Sequence, residues 1–256
     1  MTKQLNYFNV KAAKSPFKRL VALVRNIFFL FIIISICSVI LARFIPIYVT
    51  PLMMIRTVES VFDGKMPKNK KEWVPIEDIS PNMVNAVVAS EDNLFLTHYG
   101  FSFADIGKAF KHNKKGKKMR GGSTISQQTA KNVFLWPDRS YLRKGLEAYY
   151  TVLIELFWSK ERIMEVYLNV IETGKGIYGV EAASQKYFGK SADRLTKSQA
   201  ALIAACLPNP RRFNAGNPSG YISRRKSQIV YLMRRIGPVD FDKNDNPKKH
   251  SRKNRN

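Results

Sequence analysis

Two carboxylates stand out by their neighbours. Glu91 closes the apolar run AVVASE and is followed by Asp92, Phe95 and His98. A carboxyl at the end of such a run, partly withdrawn from water, has its pKa raised and can act as a general base. Asp92 would raise that pKa further by like-charge repulsion, or serve structurally; the plainer alternative for the pair is a solvated helix terminus. Glu147 follows Arg143 by four residues and Lys144 by three, so on a helix all three share one face. Taken alone, that pattern is an exposed intrahelical ion pair worth about 0.3–0.5 kcal/mol.

Other matches carry no chemistry. Gly174, Gly176 and Gly179 spell GxGxxG, but a dinucleotide site needs a preceding strand, and the residues before Gly174 read as helix, which predicts a flexible inter-helix loop. Ser15-Pro-Phe-Lys18 and Ser223-Arg-Arg-Lys226 have the SxxK form without the KTG partner that penicillin-binding enzymes need. No HExxH occurs, and no Ser, His and Asp share a convincing local context. Three histidines and two cysteines leave too few ligands for a zinc ribbon and no disulfide framework.

Five segments in order carry a resemblance. They are Glu91-Asp92-Asn-Leu-Phe95-Leu-Thr-His98-Tyr-Gly100; Gly121-Gly122-Ser123-Thr124-Ile-Ser-Gln127-Gln128-Thr-Ala-Lys131-Asn132; Arg143-Lys144-Gly-Leu-Glu147 continuing to Glu155; Lys160-Glu-Arg-Ile-Met-Glu165-Val-Tyr167-Leu168-Asn169; and Tyr178-Gly179-Val-Glu181 through Tyr187-Phe188-Gly189 to Leu207-Pro208-Asn209-Pro210. Over about residues 70 to 237 the chain resembles the peptidoglycan glycosyltransferases of family 51, and most closely their monofunctional members, which have one N-terminal anchor and no penicillin-binding domain. Ser102 stands where the family commonly has Asp, and Ser126 where threonine is more frequent; a helix N-cap accounts for either residue at 102.

The resemblance implies a lysozyme-like helical fold and polymerisation of lipid II into β-1,4 glycan strands, with inversion at the donor's anomeric carbon and release of undecaprenyl pyrophosphate. It makes Glu91 the base and sets Glu147 beside the donor pyrophosphate, acting directly or through a divalent cation. Lys131 and Arg139 match the cations that hold that pyrophosphate, with Arg143 and Lys144 alongside. Ser123, Thr124 and Gln127 follow two glycines, where hydroxyl and backbone donors approach phosphate closely. Gln128, Asn132 and the Tyr167–Asn169 helix are expected to support these groups. No tightly bound cofactor is expected; Mg2+ or Mn2+ near Glu147 would assist pyrophosphate departure. Lipid II, the growing strand, the bacterial membrane and other cell-wall synthesis or division proteins are the implied partners. A lytic enzyme of lysozyme type and a non-catalytic, membrane-anchored cell-wall binding protein are the alternatives. The first would not need the pyrophosphate cations.

Capping signals define the elements that must hold these residues. Ser80-Pro81, Ser102, Ser140, Ser159, Thr196 and Asn217-Pro218 each open a helical stretch, Gly237 ends the last, and no run alternates with period two, which predicts a nearly all-α domain. Ahead of it, Ile27 to Ala42 is uncharged and apolar all round, a candidate transmembrane signal-anchor within 26–46. Before it stand Lys3, Lys11, Lys14, Lys18, Arg19 and Arg25 and no acid, so the positive-inside rule keeps residues 1–25 in the cytoplasm and exports the chain beyond the anchor. Ile40 is wrong for a cleavage site at Ala42, which favours an uncleaved anchor over a signal peptide. The organisation expected is a basic arm, the anchor, a proline-rich connector at 47–79, a glycosyltransferase domain at 80–238 and a disordered basic tail at 239–256. The expected location is a bacterial inner membrane, single-pass, with the catalytic domain outside the cytoplasm.

The charge fits this layout. There are 43 Lys and Arg against 19 Asp and Glu, a net of +24, and 45% of residues are hydrophobic. Such an excess calls for a polyanionic partner. Export makes nucleic acid a poor candidate and leaves anionic lipid and a phosphorylated substrate. Six of the ten residues in Lys111 to Arg120 are Lys or Arg, which reads equally as a solvated mobile loop and as a binding element.

Overall fold

The computed structural model describes residues 16–62, 64, 70–102, 122–138 and 140–241. Arg139, the basic 111–120 segment, the helix expected after Ser102 and the tail beyond Phe241 lie outside the described residues.

The long apolar segment forms α1, Pro16–Phe44, and begins ten residues earlier than the 26–46 span read from the sequence. Its 28-residue stretch Phe17–Phe44, which contains an 18-residue window of mean hydropathy 2.7, is long and apolar enough to cross a membrane; at ~1.5 Å per residue it exceeds the ~30 Å of a hydrocarbon core. The first half stands clear of the rest, with Leu20 to Leu30 largely exposed. The second half is docked. Val39 and Ala42 are buried, Ser35 Oγ lies 2.6 Å from the Tyr149 hydroxyl, and Trp158 Nε1 donates to the Val39 carbonyl at 2.8 Å. Arg162 Nη2 donates to the Ala42 carbonyl, at the end of the helix where the last carbonyls have no helical partner.

Within the 47–79 stretch, read as a connector, the described residues include a helix, a strand and a 3-10 turn. Thr50 accepts from Met53 N and opens α2, Pro51–Phe62. Strand β1, Lys70–Lys71, and a short 3-10 turn at Ile76–Asp78 follow. The domain then runs through α3, Pro81–Glu91; α4, Ile125–Phe134; α5, Tyr141–Phe157; and α6, Lys160–Val170. After α6 come the hairpin strands β2, Glu172–Gly174, and β3, Ile177–Tyr178, and the helices α7, Val180–Phe188, α8, Lys197–Cys206, and α9, Gly220–Ile236. Ser80, Ser140, Ser159 and Thr196 cap α3, α5, α6 and α8 through their side chains, and Ser219 rather than Asn217 caps α9.

The chain is mostly helical, with one addition. β3 pairs with β1 in parallel and with β2 antiparallel, giving a three-stranded sheet in the order β1-β3-β2. The GxGxxG segment is therefore an ordered hairpin and not a flexible loop. Gly179 has φ +80° and a Cβ there would meet the Asn169 carbonyl at 2.8 Å, so only glycine fits the turn into α7.

The core lies between α3, α4, α6, α7 and α8, with Met83, Ile125, Ile163, Leu168 and Ile203 fully buried. α4 packs on α5 and α6, while α9 packs on α8 and α3. Asn169 locks the sheet side to the helices: its amide accepts from Val74 N at 2.9 Å and donates to Val74 O at 2.8 Å. Asn169→Ala leaves both backbone groups unpaired and is expected to cost about 2–4 kcal/mol, read as a lowered urea midpoint with an unchanged slope.

Candidate active site

Glu91 occupies the last turn of α3, where the apolar residues that make α3 a core helix also withdraw its carboxyl from water. Burial pushes the Glu91 pKa up, opposed by a hydrogen bond from Gln128 and by the charge of Arg225; Asp92 adds a smaller upward push. Gln128 Nε2 donates to Glu91 Oε2 at 3.1 Å, and the buried Tyr167 hydroxyl donates to Gln128 Oε1 at 3.4 Å. The base is thus oriented from α4, and α4 from α6.

Asp92 is structural. It is 5% exposed, and its carboxylate accepts from His98 Nε2 at 2.9 and 3.0 Å and from the Ile125 N–H at 3.1 Å, the first turn of α4. A second, half-buried pair closes the same corner. Lys160 Nζ donates to Glu155 Oε1 at 2.7 Å and to the His98 carbonyl at 2.6 Å, and lies 4.8 Å from the centre of the Phe95 ring. Ser126 also donates to Glu155.

Glu147 is 3% exposed, so it is not the surface ion pair that its spacing alone suggested. Arg143 Nη1 donates to Glu147 Oε2 at 2.7 Å, and Lys144 Nζ to Oε1. Lys131 faces this group from α4. Burial lowers its pKa, the Glu147 charge raises it, and Arg143 and Lys144 lower it further; the net shift is downward. Of these residues, Lys131 and Arg143 border a cleft of about 400 Å³. Gln128, Lys131 and Asn132 of α4 line one wall, with Trp136 to Asp138 and Arg143; Ile171, Glu172, Leu207 and Pro208 face them.

Two expected phosphate donors are committed elsewhere. Thr124 and Gln127 form a reciprocal capping box at the start of α4, both buried, with the Thr124 hydroxyl also donating to the Gly100 carbonyl at 2.7 Å. The Thr124 hydroxyl and the Gln127 amide oxygen thus build the start of the helix that carries Lys131; Ser123, half-buried ahead of the cap, remains available among the described residues. A resident divalent ion does not fit the described residues. Both Glu147 oxygens are held by cations, and no group of three His, Cys, Asp or Glu residues comes together among the described residues.

Sequence reasoning missed four charged residues around the site, Glu172, Arg56, Arg211 and Arg225. Glu172 lines the far wall, its pKa raised by burial against the opposing charges of Arg211 and Arg56; Arg211 Nε lies 4.0 Å from its carboxylate. Arg56 and Arg211 are remote from Glu172 in the chain, so no spacing announces them. Arg225, inside a chance SxxK, supplies charge near Glu91; its position four residues before the apolar Ile229 was the only signal. The whole arrangement pairs a desolvated carboxylate, able to take a proton from a hydroxyl, with a cationic cleft able to stabilise an anionic leaving group.

The sequence pattern of the transglycosylase family matches residues 58–234. A biosynthetic peptidoglycan transglycosylase of Bacteroides thetaiotaomicron is 53% identical over 240 residues, covering 91% of this chain and 97% of its own length. The protein of the same description from Bdellovibrio bacteriovorus is 56% identical over 210 residues, 82% of this chain and 83% of its own. That from Shewanella oneidensis is 46% identical over 235 residues, 91% of this chain and 98% of its own.

The raised pKa of Glu91 has a stability consequence. Between the ordinary glutamate pKa of about 4.3 and its higher folded value, the folded chain holds more protons than the unfolded one, so stability falls as pH rises through that window. Glu91→Gln is expected to be more stable than the parent at about pH 7, with the difference vanishing below about pH 4. Urea midpoints at both pH values check this, and a less stable variant at neutral pH contradicts it.

Proposed function

This chain belongs to the transglycosylase family, and on that footing we propose that it is a peptidoglycan glycosyltransferase that polymerises lipid II, releasing undecaprenyl pyrophosphate. The observation that carries the reading is the desolvated Glu91 carboxyl, aimed by Gln128, a residue that itself lines a cleft bordered by Lys131 and Arg143.

Glu91 takes the proton of the acceptor sugar's 4-hydroxyl as that oxygen bonds to the donor's anomeric carbon. The bond from that carbon to the pyrophosphate oxygen breaks on the opposite face, and the α-linked donor becomes a β-linked product. The leaving group carries the electron pair away as a phosphate anion. Lys131, Arg143 and Lys144 meet it with charge-assisted hydrogen bonds, and Arg139 extends this group in our reading. Glu147 holds Arg143 and Lys144 in place. Stabilisation of developing charge by prepositioned donors is the larger contribution to such a step, and the base the smaller. These side chains carry the step without a metal in our reading, so equal rates with and without Mg2+ or Mn2+ are expected.

The anchor belongs to the same proposal. With α1 in a bacterial inner membrane and the N-terminus cytoplasmic, the cleft opens outside the cytoplasm, where lipid II and the growing strand are presented. Glu91→Gln is expected to reduce polymerisation of lipid II by about 10²–10⁴-fold while leaving lipid II binding intact. Lys131→Met is expected to lower kcat by about 10²–10³-fold. Full activity in the Glu91 variant overturns the mechanism. Release of soluble muropeptides from finished cell wall, with no strand synthesis, assigns the lytic chemistry instead.

A further inference from the structure

α9 buries one face, Ile222, Ile229 and Met233, against α3 and α8. On the opposite face Tyr221, Arg224, Gln228, Tyr231 and Arg235 follow one another at spacings of three, four, three and four. They form a single strip about 21 Å long. All five are exposed, the two tyrosines by 54% and 59%. One exposed aromatic is ordinary, but this strip continues to the cleft. The Tyr221 ring lies 5.7 Å from that of Phe213, centre to centre. The Arg212 guanidinium is 5.9 Å from the centre of the Phe213 ring, and Arg211 Nε lies 4.0 Å from the Glu172 carboxylate. Glu172, Pro208 and Pro210 line the cleft itself. From Arg194 to Val239 the chain has nine Lys or Arg and no Asp or Glu, so nothing within this stretch neutralises the strip. The negative end of the helix favours Arg235, but it gives Arg224, near the other end, no such reason.

Tyrosines interleaved with arginines suit a ligand that has both apolar ring faces and anions. The C–H face of a sugar packs on a tyrosine ring, and a guanidinium takes a carboxylate through two parallel hydrogen bonds. An uncrosslinked glycan strand carries both, sugars along its backbone and carboxylates on its peptides. A strand made at the cleft must also leave it over some surface, and this strip begins at the cleft wall. We propose that Phe213, Tyr221, Arg224, Tyr231 and Arg235 bind the growing strand outside the cleft. The inference rests on the polymerase reading above and adds a hold on the product that the transfer step does not use. A strand so held stays on the enzyme between additions, so the strip sets strand length and not the rate of a single transfer. An anionic lipid surface fits less well. The five strip positions on α9 include no aliphatic side chain, and the anchor packs on α5, whereas α9 packs on α3 and α8.

Binding and strand length test this separately. The full chain in a neutral detergent is titrated into labelled, lipid-free, uncrosslinked strands with free peptide carboxylates, and anisotropy is read. Arg224→Gln with Arg235→Gln is expected to weaken binding by about tenfold, and Tyr221→Ser with Tyr231→Ser by a similar factor. Arg224→Lys with Arg235→Lys is expected to recover part of the loss, since the charge returns without the planar fork. Strands stripped of their peptides are expected to lose the arginine effect and keep the tyrosine effect. Given lipid II, both double variants are expected to consume it at an initial rate within about twofold of the parent. Their strands are expected to be about three- to tenfold shorter on gels. Unchanged binding and strand length in both variants overturn the inference, as does a length that falls only in proportion to the initial rate. A melting temperature lowered by several degrees in both indicates a structural strip and also overturns it. Shortening seen only in phosphatidylglycerol vesicles, and absent in detergent, assigns the strip to lipid headgroups and overturns it as well. A parent chain that consumes lipid II but binds no strand overturns this inference alone. One that binds strands through the strip yet never consumes lipid II overturns the polymerase reading alone.

Discussion

The buried carboxylate of Asp92 holds the site together. It is one residue from the candidate base, and its oxygens meet the His98 ring and the first N–H of α4. A charge so deeply placed is tolerable only because both oxygens are bonded and because the N-terminal end of α4 presents positive dipole. The same bonds fix three things at once: the direction of α3 where it ends, the course of the Phe95–His98 loop, and the start of α4. Gln128 and Lys131 then come at fixed turns along α4. The base, the amide that aims it and the lysine of the cleft therefore share one origin.

Burial acts in opposite senses on the two main groups. It raises the Glu91 carboxyl and lowers the Lys131 ammonium, so each is drawn toward its neutral form before substrate arrives. An incoming anion would reverse the second effect. The Glu147 pairings with Arg143 and Lys144 keep those cations extended along α5 without leaving a lone buried charge. The cationic cleft thus keeps its shape through pairs inside one helix, while its communication with the base runs between helices, through Gln128 and Tyr167.

The features legible in the sequence were local. Ser80, Ser140, Ser159 and Thr196 cap their helices because an N-cap is decided within three residues. Apolar periodicity carried the helical class for the same reason. Thr124-x-x-Gln127 was equally legible as a capping box, but the two glycines before it drew the reading toward phosphate binding. The strands of the small sheet have two or three residues each, too few for alternation to register. Glu172 with Arg211, Asp92 with Ile125, and Asn169 with Val74 join residues far apart in the chain, and no spacing rule reaches that distance. The burial of Glu147 had no local signal either, since its neighbours on α5 include exposed Leu142 and Val152.

The docking of α1 on α5 makes the apolar helix a strut and not a tether. Ser35, Val39 and Ala42 are fastened to Tyr149, Trp158 and Arg162, which leaves no slack between the helix and the domain. Were the helix embedded in a membrane as proposed, the cleft would be held at one height above the bilayer and at one tilt. Encounter with the lipid-linked substrate proposed above would then become a search in two dimensions, governed by the number of molecules per unit of membrane area. Such an enzyme would saturate with surface density and be almost indifferent to the volume of liquid around it.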